Sequence, residues 1–273
     1  MTTAILTPAA PARLKVTQIR VLLSEWTKFR SLRSTTYTLF SAVVLMVGLG
    51  ALISAVTASH YSSLSAAERL AFNPITTSLG GITFAELAIG VLGVMMMTGE
   101  YSTGMIRASL TAVPRRLPVL WAKLGVFAGV VAAVSLVTSF GSFFLGQALL
   151  NGHGLGVSIS APHALSSVIG AAVYMTVAGM IAVGVGALMR NTAAGISTFV
   201  ATFFLLPPLA QLLPGSIGDH ITKYLPSNAG SALYGGGLHH QDVLSSGAGF
   251  AVLVGYAVLI VGAAAWRLRR TDA

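Results

Sequence analysis

Six stretches of this chain run for about twenty residues or more with almost no charge: 37–58, 79–98, 119–150, 164–188, 194–213 and 248–266. An apolar helix needs roughly 20 residues to cross a hydrocarbon core of about 30 Å, so each stretch predicts one transmembrane helix. The third is longer than a single crossing requires, which predicts a tilted helix or one that begins in the cytoplasm around Lys123. A transmembrane barrel would show short strands with alternating polar positions, and these runs are continuously apolar.

Two segments outside the runs carry a helical period instead. In LKVTQIRVLLSEWTKFRSLR, Ile19, Leu22, Leu23, Trp26 and Phe29 share one stripe, while Arg20, Ser24, Thr27, Lys28 and Ser31 fall opposite. Arg30 and Arg33 border the stripe and can snorkel. The pattern predicts an amphipathic helix in the membrane interface, as an anchor alone or as one that also touches a cytoplasmic partner. The second segment is GEYSTGMIRASLTAVPRR, residues 99–116, between the second and third runs. Ser102 or Thr103 is placed to cap a short helix whose Met105, Ile106, Ser109, Leu110 and Val113 share a face. Pro114 stops it, and Arg115 and Arg116 hold the turn at the headgroups. Its apolar face has two places to go, the lipid interface or a groove on a soluble protein, and periodicity leaves both open.

Composition agrees with a membrane protein. Of 273 residues 55% are hydrophobic and 8% charged, and the mean hydropathy of +0.82 lies far from a soluble average. Charge placement then orients the chain, because short loops rich in Lys and Arg stay in the cytoplasm. Arg13, Lys15, Arg20, Lys28, Arg30 and Arg33 precede the first run; Arg107, Arg115, Arg116 and Lys123 lie between the second and third. Arg190 lies between the fourth and fifth, and Arg267, Arg269 and Arg270 follow the sixth, leaving only Arg69 and Lys223 for the opposite side. Both termini are therefore expected in the cytoplasm of a multi-pass protein of the cell membrane. Topology accounts for the net charge of +9, which removes the reason to expect a nucleic-acid partner. The leader before the first run, with Pro8 and Pro11, does not resemble a secretory signal, so the first helix is expected to remain as an anchor. With no cysteine there is no disulfide, thiol catalysis or cysteine metal site.

A few residues carry candidate chemistry. Glu86 is the one acidic residue well inside a predicted span, and intramembrane carboxyls are costly enough that a pathway role competes with a structural, hydrogen-bonded one. His239, His240 and Asp242 could hold a metal, but adjacent residues ligate one ion poorly, and no metal is expected. Met95, Met96 and Met97 suit either a pliable substrate path or ordinary packing. Gly125 and Gly129 form a GxxxG spacing that permits close helix approach. Between Pro207 and Gly247 a stretch broken by Pro and Gly reads equally as a loop or as short re-entrant helices.

GEYSTGMIRASLTAVPRRLPVLWAK resembles the cytoplasmic segment of type-2 ATP-binding-cassette (ABC) exporter permeases, in the order of Glu100, Gly104, Leu110, Pro114, Arg115 or Arg116, and Lys123. Met105 stands where that family often has Thr, and SEWTKFRSLRST is similar to the segment before the first span in actinobacterial members. The resemblance implies an all-α membrane protein with six transmembrane helices, an N-terminal amphipathic interfacial helix in 1–35, a permease domain in 36–266 and a cytoplasmic tail in 267–273. It also implies that 99–118 is a coupling helix docking on a separate ATPase subunit through Glu100, Gly104, Met105, Ile106, Leu110, Pro114, Arg115 and Arg116. The outer loop 214–247 would close the pathway, a second permease copy would complete a dimer, and export would be the direction. The four lysines are followed by Val16, Phe29, Leu124 and Tyr224, so no GxxxxGK[ST] phosphate loop exists in this chain. ATP and magnesium are accordingly expected on the partner, with no cofactor bound here. A secondary carrier would call for coupling acids or inverted repeats, and an intramembrane enzyme for a convergent constellation at membrane depth; the sequence offers little of either.

Overall fold

The computed structural model describes residues 17–104, 116–213, 216–235 and 244–270, and within them every regular element is helical. Helix α1 (Gln18–Ser31) is separated from α2 (Arg33–His60) by Leu32 alone, whose extended backbone turns the chain from the surface into the bundle. After α3 (Ala66–Ala71) and α4 (Pro74–Ser78) come α5 (Ile82–Ser102), α6 (Arg116–Asn151) and α7 (Ala164–Met189). The fifth crossing is composite, α8 (Thr192–Val200), a π-helical turn (Ala201–Leu205) and α9 (Leu206–Ala210). Two short helices, α10 (Ser216–Thr222) and α11 (Pro226–Ser231), precede α12 (Ser246–Arg270). Six helical segments are long and apolar enough to span a membrane, those of α2, α5, α6, α7, α8–α9 and α12. The protein is an all-α membrane protein.

The core lies around α7, whose Ala- and Gly-rich surface packs against α5, α6 and α12. Small side chains let these backbones approach, the usual source of stability where lipid removes the hydrophobic drive between helices. Large apolar groups face outward instead: Tyr37, Phe40, Val44 and Leu52 of α2 are exposed, as lipid-facing residues must be. The GxxxG of Gly125 and Gly129 is not a site of close helix approach among the described residues; only a Leu22 methyl comes near Gly125.

Several helices overrun the apolar runs. Helix α5 continues to Ser102, which takes Glu100 into the helix, and α12 continues through Arg267 and Arg269 to Arg270. Helix α6 runs unbroken for 36 residues, with Pro118 tolerated because it sits in the first turn. The fifth span is not the uninterrupted helix that its apolarity suggests. Pro207 and Pro208 cannot donate to the carbonyls four residues back, and the wider π turn just before them absorbs the mismatch.

At the end away from α1, polar groups tie the elements together. Ser142 Oγ donates to the carbonyls of Met46 (3.1 Å) and Ser78 (2.6 Å). Gln147 donates to Pro74 O at 2.8 Å and Ser78 Oγ at 3.1 Å while accepting from Val157 N at 2.8 Å. Asn73 caps α4, and Ser65 and Glu68 form a reciprocal capping box on α3. Of the stretch left open between loop and re-entrant helices, α10 and α11 are helical, and α11 is buried at Ala229 and Gly230.

Candidate functional site: a charge ring at the root of the second span

The inner face of α1 is not the stripe that periodicity picks out. Val21, Glu25 and Phe29, spaced four apart, are buried against the bundle, with Val21 meeting Val119 and Ala122 of α6. Ile19, Leu23 and Trp26 of the predicted stripe are exposed, and Leu22 lies at the edge. Phe29 belongs to the buried face and joins the main core. A glutamate in the middle of a buried face requires a cation, and two are supplied.

Lys123 Nζ lies 2.6 Å from Glu25 Oε2 and 2.8 Å from Glu100 Oε1. Lys28 Nζ lies 2.8 Å from Glu25 Oε1 and 3.0 Å from the same Glu100 Oε1. The four groups close a ring of alternating charge that joins α1, α5 and α6. Glu25 and Lys123 are each 2% exposed. Burying single charges costs several kcal/mol each, and an alternating ring offsets that cost because each ion has two opposite neighbours. Burial of the Lys28 ammonium acts most strongly and downward. The hydrogen bonds and charges of Glu25 and Glu100 together outweigh it, and Lys28 titrates above its ordinary 10.5.

Helix α5 ends immediately beyond the ring. Gly104 takes up a left-handed φ of +71° that a side chain would strain, and its N–H reaches Tyr101 O at 3.3 Å. The hydroxyls of Ser102 and Thr103 donate back to Gly99 O, at 3.0 and 2.8 Å. They finish α5; the helix start that they are expected to cap lies outside the described residues. Tyr101, next to Glu100, points toward the opposite side of the bundle. Its ring lies 5.3 Å from the Arg190 guanidinium, and Arg190 closes α7 in a left-handed turn of its own. Arg267 of α12 donates to the Leu188 carbonyl just before that turn. The last turn of α5 is thus held by α1 and α6 through Glu100 and by the end of α7 through Tyr101.

Beside the ring, in the angle between α1 and α2, lies a cavity of about 290 Å³. Leu92, Met95 and Met96 of α5 form one wall and Thr35 and Thr38 of α2 another. Met97 turns away into the core.

Of the sequence-derived site, Glu100 lies in the ring and Gly104 stops the helix, while Arg116 opens α6. Met105, Ile106, Leu110, Pro114 and Arg115 lie outside the described residues, as do His239, His240 and Asp242. Among the described residues no cluster of His, Asp and Glu has the makings of a metal site. Glu86 is buried far from the ring and does not line the cavity. Sequence reasoning missed Glu25, Tyr101 and the partner role of Lys28. The available signal was scarcity: with seven acidic residues against sixteen basic ones, a glutamate three residues before a lysine on an amphipathic helix deserved a search for its second cation.

Six helical segments long and apolar enough to cross a membrane, with a short surface helix locked to one end of the bundle by buried ion pairs, define an integral membrane protein. The family model for ABC-2 family transporter protein matches residues 21–209, well over half of the chain, and the protein belongs to that family. It is a membrane permease component of an ABC transporter. Comparison with curated proteins gives no match.

Proposed function

We propose that this chain is the membrane subunit of an ATP-driven exporter in which residues 99–118 receive a separate ATPase and the charge ring passes its movement to the bundle. The observation that carries the reading is the ring: Glu100, at the threshold of that segment, is joined by buried ions to α1 and α6 at once. A push on the segment therefore cannot move α5 alone. Opposite charges at 2.6 to 3.0 Å in a buried setting resist separation, so α1, α5 and the start of α6 shift as a unit. The fourteen Lys and Arg that the order of the apolar runs assigns to one side, against two on the other, support an orientation with both termini and the ATPase contact in the cytoplasm.

In this reading two ATPase subunits carry ATP and magnesium, and two permease copies form the pathway between them. The exposed apolar stripe of Ile19, Leu23 and Trp26 lies in the inner interface among lipid headgroups. ATP binding draws the segments together, the ring transmits the displacement, and the pathway opens to the other side; hydrolysis resets it. The test is to purify the chain with an ATPase encoded nearby and to measure ATP-dependent transport in proteoliposomes. Copurification with transport is expected; failure to bind any ATPase would overturn the reading.

A further inference from the structure

One oxygen of the charge ring stands apart from the others. Glu25 Oε1 accepts from Lys28, Glu25 Oε2 accepts from Lys123, and Glu100 Oε1 accepts from both lysines. Glu100 Oε2 is enclosed and accepts no hydrogen bond among the described residues. Leaving a buried charged oxygen unsatisfied is more costly than leaving a neutral one, so such an atom calls for a donor. Glu100 also borders the cavity between α1, α2 and α5.

The cavity lining falls into two chemistries. Its apolar part runs from Phe29 and Leu92, both buried, to Leu32 and Met95, both exposed. Leu32 stands where α1 turns into a span and Met95 on a span itself, so the apolar mouth opens to lipid. The polar part consists of hydroxyls, and four of them already donate to backbone carbonyls: Ser31 to Lys28, Thr38 to Ser34, Ser102 and Thr103 to Gly99. Like Glu100 Oε2, these four are left to accept. A guest must therefore bring donors at one end and hydrocarbon at the other.

Charge and size narrow the guest further. Lys28 and Lys123 already balance Glu25 and Glu100, so a charged head would bring an unpaired ion into a buried setting, and an anionic one would also face Glu100. At about 290 Å³ the cavity is at the small end of ligand sites, enough for a small head and the upper part of one chain. A two-chain lipid is too large for it.

We propose that this cavity binds a single-chain amphiphile from the bilayer, with an uncharged hydroxyl head donating to Glu100 and the chain lying along Leu92 and Met95. The guest gives the ring its further donor and brings α2, through Thr35 and Thr38, against a ring that otherwise joins α1, α5 and α6. That it comes from the inner leaflet rests on the orientation proposed above; the site itself rests on this chain's contacts.

The test places the full chain, without any ATPase, in phosphatidylcholine nanodiscs with a monoacylglycerol that carries a photoreactive diazirine in its acyl chain. Labelling should concentrate on the peptide holding Leu92, Met95 and Met96, and excess unlabelled monoacylglycerol should reduce it about fivefold or more. The fatty acid of the same chain length, and an alkyltrimethylammonium, which has no proton to donate, should each leave roughly half of it or more. Met96→Trp fills the cavity from α5 and Thr38→Leu from α2, neither touching the ring; each, at a parental melting temperature, should lower labelling about tenfold. Val137→Trp, at an exposed position of α6, should stay within about twofold of the parent. Labelling spread evenly over the exposed faces, parental labelling in both cavity variants, or equal competition by the fatty acid would overturn the proposal. Since no ATPase is present, failure of the exporter reading would leave this result standing, and the reverse.

Discussion

Lys123 carries the clearest residue-scale consequence. Its ammonium answers both Glu25 and Glu100 at 2.6 and 2.8 Å and is almost completely enclosed. Lys123→Met would leave two buried carboxylates with only Lys28 between them, and a loss of about 3–5 kcal/mol is expected, read as a fall in melting temperature of the purified protein. Replacing Glu25, Lys28, Glu100 and Lys123 together by apolar residues of similar size should cost far less stability and still abolish coupling, since the ring's value lies in joining helices. Lys28 gives a pH signature. A lysine raised above 10.5 contributes stability that is fully present below its ordinary value and is lost as pH rises through its folded value. The melting-temperature gap between the parent and Lys28→Gln should therefore be the same at about pH 7 and pH 9 and shrink above 10.5. Half of this ring was visible in the sequence. Glu100 and Lys123 stood out through their place around a polar interruption, but Glu25 did not, because an apolar stripe found by periodicity names one face of a helix and α1 uses two.

Among the elements, the spans were the most legible, since twenty apolar residues leave a helix few alternatives in lipid. Their ends were not. Tertiary ion pairs keep Glu100 helical past the apolar run, and the arginines of α12 stay helical at the surface, where hydropathy falls but helix propensity does not. The π turn of the fifth span was hidden because apolarity is blind to hydrogen-bond register; Pro207 and Pro208 were the cue. Gly104 is where α5 is made to stop. Gly104→Val should cost roughly 1–2 kcal/mol in melting experiments, because a branched side chain is strained at φ +71°, and it should loosen the register between α5 and the segment that follows. Gly104→Asn, better tolerated in that conformation, should recover much of the loss.

Across the whole molecule, α5 is the helix that the others hold along its length. One end is bound to α1 and α6 by charge and to α7 by Tyr101; above it the helix packs along α7, whose Tyr174 ring seats Gly230 of α11. The family and the six-helix layout were readable from motif order and hydropathy, whereas the deep seat of α11 depends on Gly170, Tyr174 and Gly230, which are far apart in the chain and individually unremarked. A rigid bundle linked in this way predicts that coupling and assembly can be separated. The most direct measurement uses the permease reconstituted with its ATPase, comparing parent, Glu100→Ala and Leu110→Asp for copurification, ATP hydrolysis and ATP-dependent transport. The account predicts that Leu110→Asp loses the ATPase and that Glu100→Ala retains at least part of its binding while transport per ATP hydrolysed falls about tenfold or more, the loss of a charge-assisted buried contact. Undiminished assembly and transport in both variants would contradict it.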